Sequence, residues 1–539
     1  MPKATEGKNH STLLGWKSPY QYLSPAHGAI VAVLALLALI YLIYYSTLGI
    51  YSNVLIGIAV MIVAGDLIGR VKSSTRLTFG TYMLRTKIGL VMMDRLSKRA
   101  RWFWNGLADW GMVLGFGLYS HILFKGNISR RMLAFGIISL LVICVYVLPY
   151  EGIGLSFINI PQLQQLVQGY TPTPDYTNYA LFISAVLGGF ILFLVLGLVE
   201  YAANSLATIA YVAGTVLSHS PNYQPLYSII PGVAPIIPGI TIPLFPGILA
   251  LGFVLIVHEY AHGILSRIAK VKVVSSGLLL LGIIPIGAFV EPVEKEINKL
   301  SNQKQNRISA AGVASNLLWA VVSFVPLFLM YVYVMPHYSQ NYYYIQAESI
   351  NGSAYHVIPP GSQLLKWNGH NVSNESVLNY IRQYDAAHPD ANVSILTNNG
   401  TYKVRTNSTG FIGINIGSEV GIVGGLAGQV ANFVYTFLGL AFLLNFFIAI
   451  VNYIPIPGFD GWRIFSLNIK RRRYVFWFTT IILAALFVNV LPYSWYLPLL
   501  GVPAVIVSII LIAALLKWMW GWVNETGAKP KKNTKKSKK

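Results

Sequence analysis

The 539-residue chain is 55% hydrophobic and 11% charged, with a mean hydropathy of +0.58, whereas a soluble domain carries about 25% charged residues. These values exclude a soluble fold and point to a polytopic α-helical membrane protein. A net charge of +21 would suggest nucleic acid for a soluble protein, but the basic residues fall in patches that follow membrane topology, so no nucleic-acid partner is expected.

Residues 1–27 are polar and basic and precede an apolar stretch long enough to span, so the first helix is expected to stay as an anchor and not to be a cleaved signal. Spans of about 20 apolar residues are read at 28–46, 51–69, 132–150, 180–199, 201–218, 244–266, 308–335, 426–452, 474–492 and 501–521, about ten transmembrane helices in all. Residues 28–239 form an accessory transmembrane region containing a basic loop, 70–131. Twelve Lys and Arg lie between Arg70 and Arg131, and the next is Arg267. The silent interval reads as external. The basic clusters at 270–307, 470–473 and 529–539 read as cytoplasmic, an order that ten spans satisfy with both termini inside. Segment 107–124 is apolar, yet as a span it would reverse the sides; it is expected to be interfacial or re-entrant. Cys144 is the only cysteine and reads as a small buried apolar residue.

The catalytic membrane core is expected in two parts, 240–335 and 418–470. Pro and Gly between 231 and 246 forbid a helix there, so the chain enters the next span through an irregular loop. Within the apolar run 247–265 lies His258-Glu259-Tyr260-Ala261-His262. A zinc peptidase needs two imidazoles one helical turn apart with a carboxylate beside them, and HExxH supplies all three. With ten His and eleven Glu, chance gives this pattern in roughly four of every thousand shuffled chains, so the surroundings must decide. Residues 275–292 are apolar but broken by Gly and Pro. Irregular backbone at membrane depth must be paired and packed on protein, so this stretch reads as a re-entrant β-like loop beside the metal.

Between 336 and 417 the chain turns polar and turn-rich, with a hairpin signal around Asn398-Asn399-Gly400 and a short helix at 376–384. A small extracytoplasmic α/β module is expected; its order of elements resembles a PDZ domain, with Ser362 where an acidic residue is usual. Six Asn-x-Ser/Thr sequons begin at Asn351, Asn371, Asn374, Asn392, Asn399 and Asn407, and only an external surface could use them. Residues 471–522 carry the C-terminal transmembrane helices and 523–539 form a basic cytoplasmic tail.

HExxH supplies two ligands, and a catalytic zinc needs a third. Asp460, one of seven Asp, closes Asn452-Tyr453-Ile454-Pro455-Ile456-Pro457-Gly458-Phe459-Asp460-Gly461 at the end of an apolar stretch, where an unpaired carboxylate is costly. Glu291, Glu294 and Glu296 are the rival ligands, as in another class of HExxH membrane peptidase, although they lie in a charged loop. A transporter with buried histidines and a non-catalytic binding protein are further alternatives.

HExxH in one span, N-x-x-P-x-P-x-x-D-G in another, and a PDZ-like insert between them resemble the site-2 protease family of intramembrane zinc metallopeptidases. Gly312-Val-Ala-Ser-Asn316 matches the family's G-x-x-x-N element, and Phe459 stands where members commonly have Leu. The resemblance implies one zinc per chain held by His258, His262 and Asp460, with Glu259 as general base. It suggests Asn452 and Asn316 as donors to the substrate backbone or oxyanion, with helix packing the alternative. The substrates would be transmembrane segments of other membrane proteins, cleaved in regulated proteolysis or signal-peptide clearance within the cell membrane. The module would filter substrates by size or bind a trimmed stub. Substrate identity and oligomeric state are open at this level.

Overall fold

The computed structural model describes residues 24–71, 74–77, 80–147, 176–218, 236–239, 241–348, 352–372, 375–492 and 498–524. Residues 1–23, most of the two loops lacking Lys and Arg, the sequon residues Asn351 and Asn374, and the tail from 525 lie outside them. Among the described residues seven helices are long and apolar enough to cross a membrane, and Leu55–Ile68 is a shorter apolar helix. The chain divides into two units, residues 1–321 with 440–539, and residues 322–439.

The first unit begins with α1 (Pro25–Tyr44) and α2 (Ile50–Ile68), packed on one another. Two strands from the basic loop follow, β1 (Ser74–Arg76) and β2 (Thr81–Thr86). They join β3 (Val273–Leu281) and β4 (Ile284–Pro292) in an antiparallel sheet of order β1-β2-β3-β4. The stretch read as a re-entrant β-like loop is thus the second half of a four-stranded sheet. β2 covers one edge of β3, pairing Thr81 with Leu281 through to Thr86 with Ser276, so among the described residues the outer edge of β4 has no strand partner. Read for its charge, the basic loop gave no sign of these strands.

Helices α3 (Leu90–Arg99) and α4 (Arg101–Phe116) come next. An interfacial helix would leave one face in the headgroups, but residues 107–116 of α4 are buried except for half-buried Trp110. Gly111 lies against Ala314, and Asp109 holds Arg307 through two bonds of 2.7 and 2.6 Å. The chain then comes back: the Asn127 carbonyl accepts from Gln303 at 3.1 Å, and Met132 reaches Gly106. Residues 107–116 therefore pack inside the first unit, and the chain after them, with Leu118, Tyr119 and Ile122 exposed, comes back to the start of the helix Asn302–Leu329.

After α5 (Arg130–Val142), whose π-helical extension Ile143–Val147 carries the half-buried Cys144, comes α6 (Tyr176–Leu217). Spans at 180–199 and 201–218 placed a break near Glu200. It falls instead at Gly189, with φ 69° and ψ −167°, and the helix runs unbroken past Glu200. The reason is local: no Pro or Gly lies between Gly197 and Gly214, whereas Gly189 adopts a left-handed φ against the backbone of Gly115 and Phe116, a conformation few other residues tolerate. Helices α7 (Leu244–Ile268), α8 (Asn302–Leu329), α9 (Gly425–Asn452), α10 (Asp460–Asn468), α11 (Arg472–Val490) and α12 (Pro498–Asn524) complete the membrane elements.

In the second unit an antiparallel sheet runs β10-β5-β6-β8-β9, with β7 on β6. Its strands are β5 (Ser339–Glu348), β6 (Gln363–Trp367), β7 (His370–Asn371), β8 (Asn392–Thr397), β9 (Gly400–Arg405) and β10 (Ile414–Ile422). The helix Glu375–Ala387 contributes Leu378 and Ile381 to a core with Ile345, Trp367, Val393 and Ile395. Buried Asp385 accepts from Trp367 Nε1 at 2.8 Å. Burial raises its carboxyl above the ordinary range, against the opposing pull of Trp367 and His388. Strand β10 continues past the boundary expected at 417.

Candidate metal centre

The first two site residues are neighbours because helical geometry makes them so. Positions four apart share a face, and His258 and His262 on α7 bring their Nε2 atoms to 3.2 Å. Asp460 arrives from 198 positions further on than His262. Pro455 and Pro457 cannot extend α9, so the chain leaves that helix after Asn452 and starts α10 at Asp460. Its Oδ2 stands 3.2 Å from His258 Nε2 and 3.2 Å from His262 Nε2.

Three potential ligand atoms therefore form a triangle with 3.2 Å edges. In a tetrahedral zinc site with ligands at 2.0–2.1 Å, neighbouring ligand atoms are about 3.3–3.4 Å apart. The donor set fits. Asp460 Oδ2 is buried and has no hydrogen-bond partner, an arrangement that leaves its lone pairs directed at the triangle. Among the described residues this is the group of three whose ligand atoms lie close enough to share an ion. The HExxH carboxylate stands apart from it: Glu259 Oε2 accepts from the Val290 N–H of β4 at 3.1 Å. Glu259, His262 and Asp460 line a cavity of about 590 Å³, with Val290 and Arg463 also on its wall.

The rival ligands are engaged elsewhere. Glu291 pairs with Arg85 at 3.1 Å and accepts from the Ser275 hydroxyl. Glu296 accepts from the Lys272 N–H at 2.8 Å, and Glu294 lines the same cavity outside the triangle. The two candidate asparagines part company. Asn316, fully buried, faces His258 Nδ1 at 3.2 Å. Asn452 turns its amide back to the Ile448 carbonyl of its own helix at 3.0 Å.

Several contacts around the triangle were not apparent from the sequence. The Ile308 carbonyl lies 2.7 Å from His262 Nδ1. A Cβ on Gly312 would stand 2.4 Å from His258 Nε2 and 2.5 Å from His262 Nε2. The accessory region braces the third ligand: the buried Tyr453 donates its hydroxyl to the Gly111 carbonyl of α4, and Phe116 packs edge-on to its ring at 5.6 Å. At Gly461 a Cβ would meet the Tyr453 carbonyl at 1.9 Å, so the residue after Asp460 lets α10 turn tightly over this support. On the Ile308–Gly312–Asn316 face the G-x-x-x-N element had marked Gly312 and Asn316, and only the spacing of four pointed to Ile308.

Comparison with known proteins covers the same segment of the chain. Residues 246–492 match the sequence model of peptidase family M50, the site-2 protease family. The match covers a little under half of the chain and shows similarity to that family over this segment. An uncharacterised protein of Methanocaldococcus jannaschii is 28% identical over 240 residues, 44% of this chain. The match covers 61% of that relative's length. Family M50 members are zinc-dependent membrane metalloproteases, and the family includes some non-catalytic ones. The apolar helices make the chain a multi-pass membrane protein, and the matched segment carries both HExxH and Asp460.

Proposed function

We propose that the chain is an intramembrane zinc endopeptidase that hydrolyses peptide bonds within or beside transmembrane segments of other proteins. The observation carrying this reading is the 3.2 Å triangle of His258, His262 and Asp460 on one cavity with Glu259. When bound, zinc supplies a Lewis acid that polarises a peptide carbonyl and acidifies water. His258, His262 and Asp460 hold it. Glu259 takes the proton of the attacking water and passes it to the leaving amine, so a C–O bond forms as the C–N bond breaks.

A helical peptide bond is shielded by its own hydrogen-bond ladder, so the substrate must unwind locally. The outer edge of β4 offers the replacement partners by strand addition. Val290 directs its N–H away from β3, towards Glu259, and strand alternation gives Ala288 the same outward direction. A substrate strand laid there passes beside the base. The 336–417 module lies outside the cell membrane and, as a PDZ-like domain, screens substrates by size or holds a trimmed stub. Both termini are cytoplasmic, as the placement of Lys and Arg indicates.

Replacement of Glu259 by Gln tests the mechanism, because it removes the proton acceptor and leaves the three ligands in place. Purified variant protein should keep one zinc per chain while cleavage of model transmembrane peptides falls by about a hundredfold or more. Cleavage at the parent rate would remove Glu259 from the chemistry.

A further inference from the structure

Ile308, Gly312 and Asn316 recur every fourth residue on α8 and therefore lie along one face. All three meet the HExxH histidines. The Ile308 carbonyl is 2.7 Å from His262 Nδ1; a carbonyl can only accept, so this ring carries its proton on Nδ1 and keeps a bare Nε2. Gly312 leaves room for both Nε2 atoms. Asn316 is the remaining member, and its amide lies 3.2 Å from His258 Nδ1.

We infer that Asn316 is a positioning residue whose amide oxygen accepts from His258 Nδ1–H and holds that ring with its Nε2 lone pair on the ligand triangle. The inference rests on the metal reading of the triangle. With Nδ2 turned to the ring, Asn316 Oδ1 has no partner although the side chain is fully buried. In that orientation the ring must accept at Nδ1, which moves its proton to Nε2 and removes one ligand lone pair. A half-turn of the amide exchanges oxygen and nitrogen without moving any other group. It pairs the orphaned oxygen, puts the proton on Nδ1 and gives His258 the same backing that the Ile308 carbonyl gives His262. Ligand histidines elsewhere are held in this way by an acceptor on the second nitrogen, with effects of 10–100-fold on metal affinity.

Zinc affinity of the purified full chain, measured by chelator competition for the parent, Asn316→Leu and Asn316→Asp, tests the assignment. Leu has nearly the same shape without an acceptor, and Asp keeps the acceptor. Positioning predicts an affinity loss of about 10–100-fold for Leu, and for Asp an affinity equal to or tighter than the parent's. A packing role predicts the opposite order, because Leu suits a buried site and an added carboxylate does not. Parent-like affinity in the Leu variant, or a loss in the Asp variant as large as that in Leu, overturns the assignment. A parent protein that binds no zinc overturns the metal reading itself, and this inference with it.

Discussion

Replacement of Gly312 by Ala should empty the metal centre while leaving the helix that carries it intact. The added Cβ would stand 2.4 Å from His258 Nε2, 2.5 Å from His262 Nε2 and 2.6 Å from His258 Cε1, where non-bonded carbon contacts are favourable only at about 3.5–4.0 Å. The overlap exceeds about 1 Å on both rings, so one imidazole must swing off the triangle or α8 must move away from α7. Either movement removes a ligand or stretches the 3.2 Å edges. Apart from this clash, Gly to Ala inside a helix stabilises by roughly 0.5–1 kcal/mol, so helix content should be unchanged. The expected result is at least a hundredfold weaker zinc binding, equivalent to about 2.7 kcal/mol, measured by chelator competition alongside circular dichroism. A folded Gly312→Ala variant that holds one zinc at parent affinity would refute both the clearance argument and the placement of the metal between these rings.

Ala288→Pro removes an outward N–H from the outer edge of β4, a position where proline is compatible with a strand. We predict at least tenfold slower cleavage of intact transmembrane peptides with zinc retained; equal rates would exclude pairing at this edge. Leu280 lies in β3 between Tyr82 and Pro285, so proline there should disrupt the sheet itself. For topology, single cysteines replacing Ser353 and Lys470, in a background without Cys144, should label from outside and inside respectively. An externally reactive position 470 would overturn the proposed order of sides. In the 322–439 unit, the raised Asp385 carboxyl means that folding favours its protonated form. Its contribution is greatest below the unfolded-state carboxyl range and is lost as pH rises through the higher folded-state value. Asp385→Asn should flatten the pH dependence of hydrogen-exchange protection across β6 and β8 in the full chain; an unchanged slope would show that Asp385 does not set it.

Local chemistry was sufficient for part of this protein. His258, Glu259 and His262 lie within five residues, so helical periodicity alone put two ligands on one face. Asp460 stood out because carboxylates are scarce and costly near membrane depth, and the prolines before it dictated the end of α9. Composition likewise fixed the membrane class and set the polar 336–417 stretch apart. The rest depended on contacts between distant segments, which no local pattern encodes. The meeting of Asp460 with the two histidines at 3.2 Å requires α4, Tyr453 and Gly461 to support α10 from behind. Strands β1 and β2 became visible only once β3 provided an edge, because three and six residues in a basic loop carry too little signal of their own. The break in α6 fell at Gly189 and not at Glu200 because the backbone of α4 packs against that glycine. Asn316 has the same side chain whether it packs helices, touches substrate or orients a ligand, and its proximity to His258 Nδ1 follows only from the way α8 lies across α7.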